Sequence, residues 1–168
     1  LTALAPLMPL IFPAFAGADR VAENILHHLP ADDGHRYTIY VVRTPAQPRA
    51  FNFAPNLRVI PIPALSGKHS RATSFFLLSA LHCALVLRPD LAHLHDSAFG
   101  PFAWILRLFR SRMPLLGTFH GNPYERAKWS PFAKWFLRTS ECAFIRACHA
   151  LTTVARAKVA DVQARCHT

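Results

Sequence analysis

The chain has 168 residues, of which 52% are hydrophobic and 17% charged, and this composition excludes a low-complexity chain and predicts one globular domain. It carries 19 lysines and arginines against 9 aspartates and glutamates. Residues 104–168 hold 11 of the basic side chains but only 3 of the acidic ones. Such a positive field attracts polyanions, whether lipid headgroups, nucleotide phosphates or nucleic acid, and it does not choose among them.

Hydrophobic patterning predicts strands that alternate with helices along most of the chain. The predicted strands cover residues 7–13, 36–43, 57–62, 91–95, 114–120 and 150–154. The predicted helices cover residues 19–29, the apolar part of 67–87, 99–111 and 131–149, and the prolines of residues 44–56 predict a surface loop. This order predicts an α/β fold with a Rossmann-like parallel sheet flanked by helices.

Two apolar segments must be compared with the patterns of signal peptides and membrane-spanning helices. Residues 1–16 are interrupted by Pro6, Pro9 and Pro13 and begin without a basic residue, so they fit neither a signal peptide nor a spanning helix. Residues 74–87 are shorter than the roughly 20 residues of a membrane span, and they predict a buried core helix. Because the chain begins with leucine rather than methionine, we expect it to be a fragment.

The four cysteines, Cys83, Cys142, Cys148 and Cys166, form no CxxC pair, and three of them lie in helical or apolar stretches. We therefore expect buried free thiols in a reducing compartment. A metal site built from Cys142, Cys148 and His149 is rejected because zinc ligands usually occur in closely spaced pairs.

Polar clusters follow two of the predicted strands, and a glycine follows the first. The clusters are His95-Asp96-Ser97 and His120-Gly121-Asn122. Ligands of a parallel sheet collect outside the carboxyl ends of its strands, so both clusters are expected in one crevice if their strands are neighbours. Gly17, at the first strand-to-helix turn, would let a ligand approach the backbone. The chain has no GxGxxG and no GxxxxGK[ST], which disfavours a dinucleotide-binding domain or a P-loop.

Five segments of the chain, in their order and spacing, resemble one family of enzymes. They are GADRVAENILHHLP at 17–30, HRYTIYVV at 35–42, DLAHLHDSAFGPFAWILRL at 90–108, TFHGNPYERAKWSPFAKWFLR at 118–138 and ALTTV at 150–154. Together they are similar to the amino-terminal domain of family 4 glycosyltransferases over roughly residues 14–158. The RAKW motif at residues 126–129 resembles a feature of bacterial polysaccharide glycosyltransferases.

The motifs of that family fall on definite positions. Its GGxE loop corresponds to Ala16-Gly17-Ala18-Asp19, its HxH motif and following glycine to His93-Leu94-His95 with Gly100, and its histidine-glycine pair to His120-Gly121. The chain departs from the family pattern in three ways: Ala16 replaces a glycine, Asp19 is shorter than the usual glutamate, and prolines interrupt the usual apolar first strand.

The resemblance implies a single Rossmann-like domain over residues 1–168, which is the acceptor-side half of a GT-B fold. The other half, with its nucleotide pocket, is not within these residues. The implied reaction moves a sugar from a nucleotide-sugar donor to a glycan or lipid-linked acceptor with retention, and no metal or cofactor is implied. The implied location is the cytoplasm, peripheral on the inner face of the plasma membrane.

The resemblance also implies roles for individual residues. His120 is the catalytic candidate, in the cleft beside the transferred sugar. The substrate-binding candidates are Gly17, Asp19, Arg20, His95, Asp96, Ser97, Gly121, Asn122, Tyr124, Glu125 and Lys128. Gly17 would approach the donor phosphate, and Arg20 or Lys128 would supply positive charge. The acceptor hydroxyls would be contacted by His95, Asp96, Tyr124 and Glu125.

Several of these residues have structural alternatives. His93 should lie on the same side of its strand as His95 but deeper in the sheet, which predicts a structural role for it. Asp19 fits equally well as an amino-terminal helix cap. The tryptophans are predicted to pack rather than to stack on sugars, and they are Trp104, Trp129 and Trp135.

The sequence leaves two alternative functions and one additional binding partner to be considered. One alternative is a non-catalytic remnant of a transferase. The other is a basic nucleic-acid-binding module, which is disfavoured because the aromatic residues lie in apolar helical segments and no RNA or DNA motif is present. The basic excess coincides with Phe132, Trp135 and Phe136, which favours an anionic membrane surface as a partner.

Overall fold

The computed structural model describes residues 5–10, 21, 24–25, 27–28, 34–46, 49–67, 70–121, 124, 127 and 129–166. The strands are β1 (Ala5–Leu10), β2 (Tyr37–Val42), β3 (Phe51–Ala54), β4 (Leu57–Ile62), β5 (Ala92–Leu94), β6 (Leu115–Phe119) and β7 (Ala150–Thr153). The helices are α1 (Ser70–His82), α2 (Gly100–Phe109), α3 (Pro131–Ala147) and α4 (Val159–Cys166). A π-helical turn, Cys83–Leu87, extends α1, and a 3₁₀ turn, Ser97–Phe99, leads into α2. Residues 21, 24–25 and 27 are also helical, within the predicted helix 19–29.

The strands form one sheet in the order β3-β4-β2-β1-β5-β6-β7. All neighbours pair in parallel except β3, which pairs antiparallel with β4. The chain runs outward from β1 through β2 and β4, then returns to place β5 beside β1. Such a reversal is the position at which open α/β sheets bind ligands. The predicted Rossmann-like α/β fold is confirmed.

One layer of helices covers one face of this sheet. The connections from β4 to β5, β6 and β7 all run in one direction, and right-handed crossovers therefore place α1, α2 and α3 on the same face. α1 packs against α2, and α2 packs against α3. The core beneath them contains fully buried side chains such as Tyr40, Phe75, Phe99, Leu106 and Phe144. Burial of each apolar side chain of this size contributes about 2 kcal/mol to stability.

α2 and α3 approach each other so closely at Gly100 that no side chain fits there. A Cβ atom on Gly100 would overlap the carbonyl oxygen of Ser140 and would lie 2.7 Å from the backbone nitrogen of Phe144. The glycine of the histidine motif therefore has a packing function. Because it lacks a side chain, it lets the segment after β5 pack directly against the middle of α3.

The predicted loop over residues 44–56 is wrong in its second half, because residues 51–54 form β3. Phe51 pairs with Val59, and a two-residue turn at Pro55 and Asn56 joins β3 to β4. The side chains of β3 are exposed or half-buried, so this edge strand has no buried face to produce an alternating pattern. The sequence also predicted no element after residue 154, where α4 forms.

Two predictions about burial are wrong in part. Cys83 is buried and Cys148 is half-buried, but Cys142 is exposed on α3, and the side chain of Cys166 lies outside the described residues. Burial raises the pKa of Cys83 and of Cys148 to about 12, so both thiols stay protonated at neutral pH. The tryptophans are less packed than predicted, with exposed fractions of 48% for Trp104 and 61% for Trp135.

α1 and its π-helical extension form 18 continuous residues, Ser70–Leu87, with a mean hydropathy of 1.4. By length and composition alone, this is the one helix in the described part of the chain that could cross a membrane. The same properties are found in core helices of soluble proteins, and Phe75, Phe76 and Ala80 of α1 are buried. The predicted core helix is thus correct for its inner side, whereas its outer side exposes Leu77 and Leu78.

Candidate functional site

The two polar clusters meet at the carboxyl edge of β5 and β6. These strands are hydrogen-bonded neighbours, with Leu94 opposite Gly117, so the condition for a shared crevice is met. The imidazole rings of His95 and His120 lie 5.9 Å apart, centroid to centroid. Since β5 also neighbours β1, the pair lies beside the point where the strand order reverses.

A hydrogen-bonded chain supports this edge from below. His93 Nε2 lies 2.7 Å from Thr118 Oγ1, which lies 2.9 Å from Thr152 Oγ1. Thr152 donates to the carbonyl oxygen of Gly117, so its oxygen is free to accept from Thr118, and Thr118 in turn accepts from His93. Thr118 Oγ1 thus links His93 to Thr152. These bonds fit a structural role for His93, which stays a prediction.

His95 stacks on His93, with ring centroids 4.0 Å apart. Its exposed fraction is 1%, against 6% for His93, so His95 is the deeper of the two, contrary to prediction. Burial, followed by the positive charges that His93 and His120 could carry, lowers the pKa of His95 to about 2. Burial and the nearby His120 lower the pKa of His93 to about 4. Both rings are neutral at physiological pH.

His120 is half-buried and lies directly after β6. Burial lowers its pKa below the usual value for histidine, so this ring is also neutral. Its Nε2 atom and the Nδ1 atom of His95 are shielded from solvent and have no hydrogen-bond partner in the described part of the chain. Gly121 follows with a φ of 126°, and among the described residues, its chain neighbours aside, no atom lies within 4 Å of the position its Cβ would take. This backbone conformation favours glycine.

Asp96 and Ser97 continue the β5 cluster into the 3₁₀ turn. One carboxylate oxygen of Asp96 accepts a hydrogen bond from the backbone N–H of Ala98 at 2.9 Å, which caps the turn. Burial raises the pKa of Asp96, and the bond from Ala98 opposes that rise. Ser97 is buried, with an exposed fraction of 6%. Asp96 is half-buried and is therefore the more accessible of these two substrate-binding candidates.

Tyr124 packs against α3. Its hydroxyl donates to Glu141 Oε1 at 3.4 Å, and the guanidinium carbon of Arg138 lies 5.1 Å from the centre of its ring. The exposed fractions are 8% for Tyr124 and 3% for Glu141. These contacts attach the segment after β6 to the helix layer, and they involve the hydroxyl that was predicted to contact an acceptor.

Six of the predicted site residues lie outside the described residues. They are Gly17, Asp19, Arg20, Asn122, Glu125 and Lys128. The described candidates, which are His95, Asp96, Ser97, His120, Gly121 and Tyr124, all lie on β5, on β6 or in the segments that directly follow them.

The supporting residues Thr118, Thr152 and Glu141 were not identified from the sequence. Thr118 precedes His120 by two positions and therefore lies on the same side of β6, which was the available signal. Thr152 could be found only through the pairing of β7 with β6, which sets it opposite Thr118. Glu141 falls within an otherwise apolar and basic helix, and an isolated acid there is a signal of burial against a partner.

The chemistry that this edge supports is uncharged hydrogen bonding. Each neutral imidazole offers one donor and one acceptor, which matches the pattern of a sugar hydroxyl. Among the described residues, no group of three or more histidine, cysteine, aspartate or glutamate side chains is arranged to hold a metal ion.

Comparison with known protein families gives one match. The model of Glycosyltransferase Family 4 matches residues 15–167, which is nearly the whole chain. No curated protein matches the chain. The matched range includes β2 to β7, and thus both histidine-bearing strand ends.

Proposed function

This chain belongs to glycosyltransferase family 4, and we propose that it forms the acceptor-side half of a GT-B enzyme that transfers a sugar with retention of configuration. The proposed donor is a nucleotide-sugar, and the proposed acceptor is a glycan or a lipid-linked glycan of a bacterial polysaccharide pathway. The observation that carries the proposal is the meeting of His95 and His120 beside the strand reversal.

In the proposed reaction, the bond between C1 of the sugar and the diphosphate oxygen breaks, and the diphosphate leaves with the electron pair. The acceptor oxygen attacks C1 from the same face, and its proton passes to the leaving phosphate oxygen. Positive charge develops on the sugar and negative charge on the diphosphate, so the protein must orient the acceptor and balance these charges. Arg20 and Lys128 are the proposed cations for the diphosphate.

His120 is proposed to contact the transferred sugar through its ring or its carbonyl group. A neutral imidazole can accept from one sugar hydroxyl and donate to another without placing a positive charge beside the developing oxocarbenium ion. The low pKa of His120 supports this role, because the ring stays uncharged at the pH of the cytoplasm. His95 and Asp96 are proposed to act on the acceptor.

We further propose that the enzyme is cytoplasmic and peripheral on the inner face of the plasma membrane. The supporting observation is an exposed apolar group at the start of α3, where Phe132 is 73%, Trp135 61% and Phe136 37% exposed. Lys134 and Arg138 lie within the same two turns of the helix. Aromatic side chains next to lysine and arginine are typical of helices that lie at an anionic lipid interface. This location would bring a lipid-linked acceptor to the cleft.

The test is a transfer assay with the gene product as its locus encodes it. Radiolabelled nucleotide-sugars are incubated with the protein and a bacterial lipid extract, and transfer to glycan or lipid is measured. We expect transfer from at least one donor and a reduction in kcat of about a hundredfold for His120→Ala. The matched control is His28→Ala, an exposed histidine, which should leave kcat unchanged.

Two results would contradict the proposal. Unchanged turnover in the folded His120→Ala variant would remove the imidazole ring of His120 from the reaction. Failure to transfer any sugar, with the wild-type protein folded, would favour the non-catalytic remnant over the enzyme.

A further inference from the structure

A second concave site lies at the edge of the sheet opposite to the histidines. It is a pocket of about 370 Å³ lined by two loops, residues 89–90 and residues 109–113. The first loop leads into the amino end of β5, and the second joins the end of α2 to the amino end of β6. The strands are parallel, so this pocket and the proposed sugar site are at opposite ends of the same two strands.

Arg110 gives this pocket its chemistry. Its Nε atom is shielded from solvent and has no hydrogen-bond partner in the described part of the chain. A guanidinium group stays charged and donates up to five hydrogen bonds in a planar arrangement that matches phosphate oxygens. The terminal N–H groups of Arg110, which lines the pocket, are the donors that an oxyanion there would use, whereas the shielded Nε is out of its reach.

The charges around the pocket also favour an oxyanion. Arg110 and Arg112 line it, and they outnumber the one carboxylate, Asp90. The carboxyl end of α2 adds partial negative charge, but the backbone N–H of Arg110 already bonds the carbonyl of Leu106 there. Ser111, between the two arginines, adds a hydroxyl donor to the lining.

The rim of the pocket is apolar and exposed. Phe109, which lines the pocket, is 52% exposed, and Leu108 beside it is 78% exposed. A free phosphate ion would make no use of this rim. A phospholipid would, because its acyl chains continue directly from its phosphate group.

We propose that this pocket binds the phosphate group of an anionic phospholipid, with Arg110 and Arg112 as donors and Leu108 and Phe109 inserted among the acyl chains. The inference rests on the membrane location in the proposed function and gives that location a defined site. It is independent of the sugar that is transferred. The pocket lies at the amino ends of β5 and β6, whereas the exposed aromatic group of α3 begins beyond the carboxyl end of β6, so the two are separate points of contact on the helix layer.

The test compares two double variants of the chain for binding to vesicles. The pocket variant is Arg110→Gln with Arg112→Gln, and the matched control is Arg43→Gln with Arg49→Gln, which removes the same charge from exposed positions that follow β2. Binding is measured with vesicles of 30% phosphatidylglycerol in phosphatidylcholine. We expect the pocket variant to bind about thirtyfold more weakly, because each arginine near such a surface contributes about fivefold. The control should lose less than about threefold, since distant charges are screened.

A second measurement keeps the test valid if the pocket variant does not fold. The Arg110 Nε–H resonance of the wild-type chain is followed by NMR during addition of dihexanoyl phosphatidylglycerol or of inorganic phosphate. We expect a saturating shift with the lipid at concentrations where phosphate has no effect. Equal shifts with both would show a free phosphate site and overturn the lipid assignment, as would the absence of any shift.

The outcomes separate this inference from the proposed function. Equal binding of wild-type, pocket and control chains to anionic vesicles would overturn the pocket and leave the membrane location standing. Absence of wild-type binding to these vesicles would contradict both. Neither readout requires sugar transfer, so loss of enzyme activity cannot imitate either result.

Discussion

The carboxyl edge of β5 and β6 and the outer face of the helix layer carry opposite kinds of polarity. At the edge, the described polar groups are imidazoles whose pKa values burial lowers, threonine hydroxyls, and the half-buried carboxyl group of Asp96, whose pKa burial raises. On the outer face, arginine and lysine side chains lie among exposed tryptophan, phenylalanine and leucine residues. In α1, α2 and α3, which the structure describes completely, Glu141 is the single acidic residue and is buried.

This difference shows that the described basic side chains of the helix layer lie on its outer surface and not at the histidine edge. Sugar hydroxyls are matched by neutral donors and acceptors, whereas phosphates and anionic membranes are matched by clustered cations. The two regions therefore suit two different ligands. Acidification and three substitutions test this difference. Each should alter the stability or binding of one region and not the other, or disrupt the helix packing that connects them.

Acidification should destabilise the fold through the histidine edge. The pKa values of His93 and His95 fall from the ordinary 6.5 to about 4 and about 2 on folding, so below pH 6.5 the unfolded chain binds more protons. Stability is therefore constant above pH 7 and falls between pH 6.5 and these lower values. From pH 7 to pH 5 we expect a loss of about 2 kcal/mol for each histidine, measured by urea unfolding.

The pH dependence can be assigned to its source with a variant pair. His95→Gln should reduce the loss between pH 7 and pH 5 by about 2 kcal/mol, and His27→Gln, at an exposed position, should leave the loss unchanged. A pH profile that is identical in wild-type and His95→Gln chains would show that His95 titrates normally.

Gly100→Ala should disrupt the close packing of α2 on α3, which connects the histidine edge to the helix layer. The added methyl group would overlap the backbone of α3 at Ser140, so α2 and α3 must move apart, and we expect a loss of about 3 kcal/mol in the free energy of unfolding. Gly34→Ala is the matched control, because open space surrounds that glycine and only its positive φ of 72° opposes the change. The control should lose about 1 kcal/mol. Equal losses in the two variants would contradict the close helix contact.

Trp135→Ser should weaken membrane binding without affecting the fold. The side chain is 61% exposed, so we expect the free energy of unfolding to change by less than about 0.5 kcal/mol. Binding to phosphatidylglycerol vesicles should fall about tenfold, because the aromatic ring no longer enters the interface. Phe53→Ser, on the distant edge strand β3, removes another exposed aromatic ring and should leave vesicle binding unchanged. A similar decrease in both variants would indicate nonspecific hydrophobic adsorption.

Thr152→Val should have the smallest effect and be restricted to the edge. It removes the last hydroxyl of the chain that runs from His93 through Thr118, at a cost of about 1 kcal/mol by urea unfolding. Thr139→Val removes a hydroxyl that bonds the Trp135 carbonyl on the exposed surface of α3, and it should cost less than about 0.5 kcal/mol. Equal costs would mean that the threonine chain does not stabilise the edge.

Most of the sheet could be predicted because its strands are short apolar runs between turn residues. Residues 37–42 are buried on both faces, and the run has no charged side chain and is rich in β-branched and aromatic residues, so its pattern clearly predicts a strand. β3 could not be predicted, because an exposed edge strand gains its stability from pairing with β4 and not from burial. The short helix α4 packs on α3 with one buried side chain, Val162, which is too weak a pattern to detect.

The site could be located from the sequence but not described in detail. The position of His95 and His120 at adjacent strand ends follows from the rule that parallel strands present their carboxyl ends on one edge. Their relative depth does not follow from alternation, because it depends on what packs above each ring. For the same reason Trp135 was assigned to packing, although its helix turns that side chain away from the core.

The central claim is that the neutral histidine edge binds sugar, and NMR of the imidazole nitrogens tests it most directly. The ¹⁵N-labelled chain is titrated at pH 7 with an oligosaccharide acceptor identified by the transfer assay. The account predicts that the resonances of His120 and His95 shift with saturation, that both rings are neutral throughout, and that the exposed His27 does not respond. Unchanged resonances for His95 and His120, or charged rings at pH 7, would contradict it.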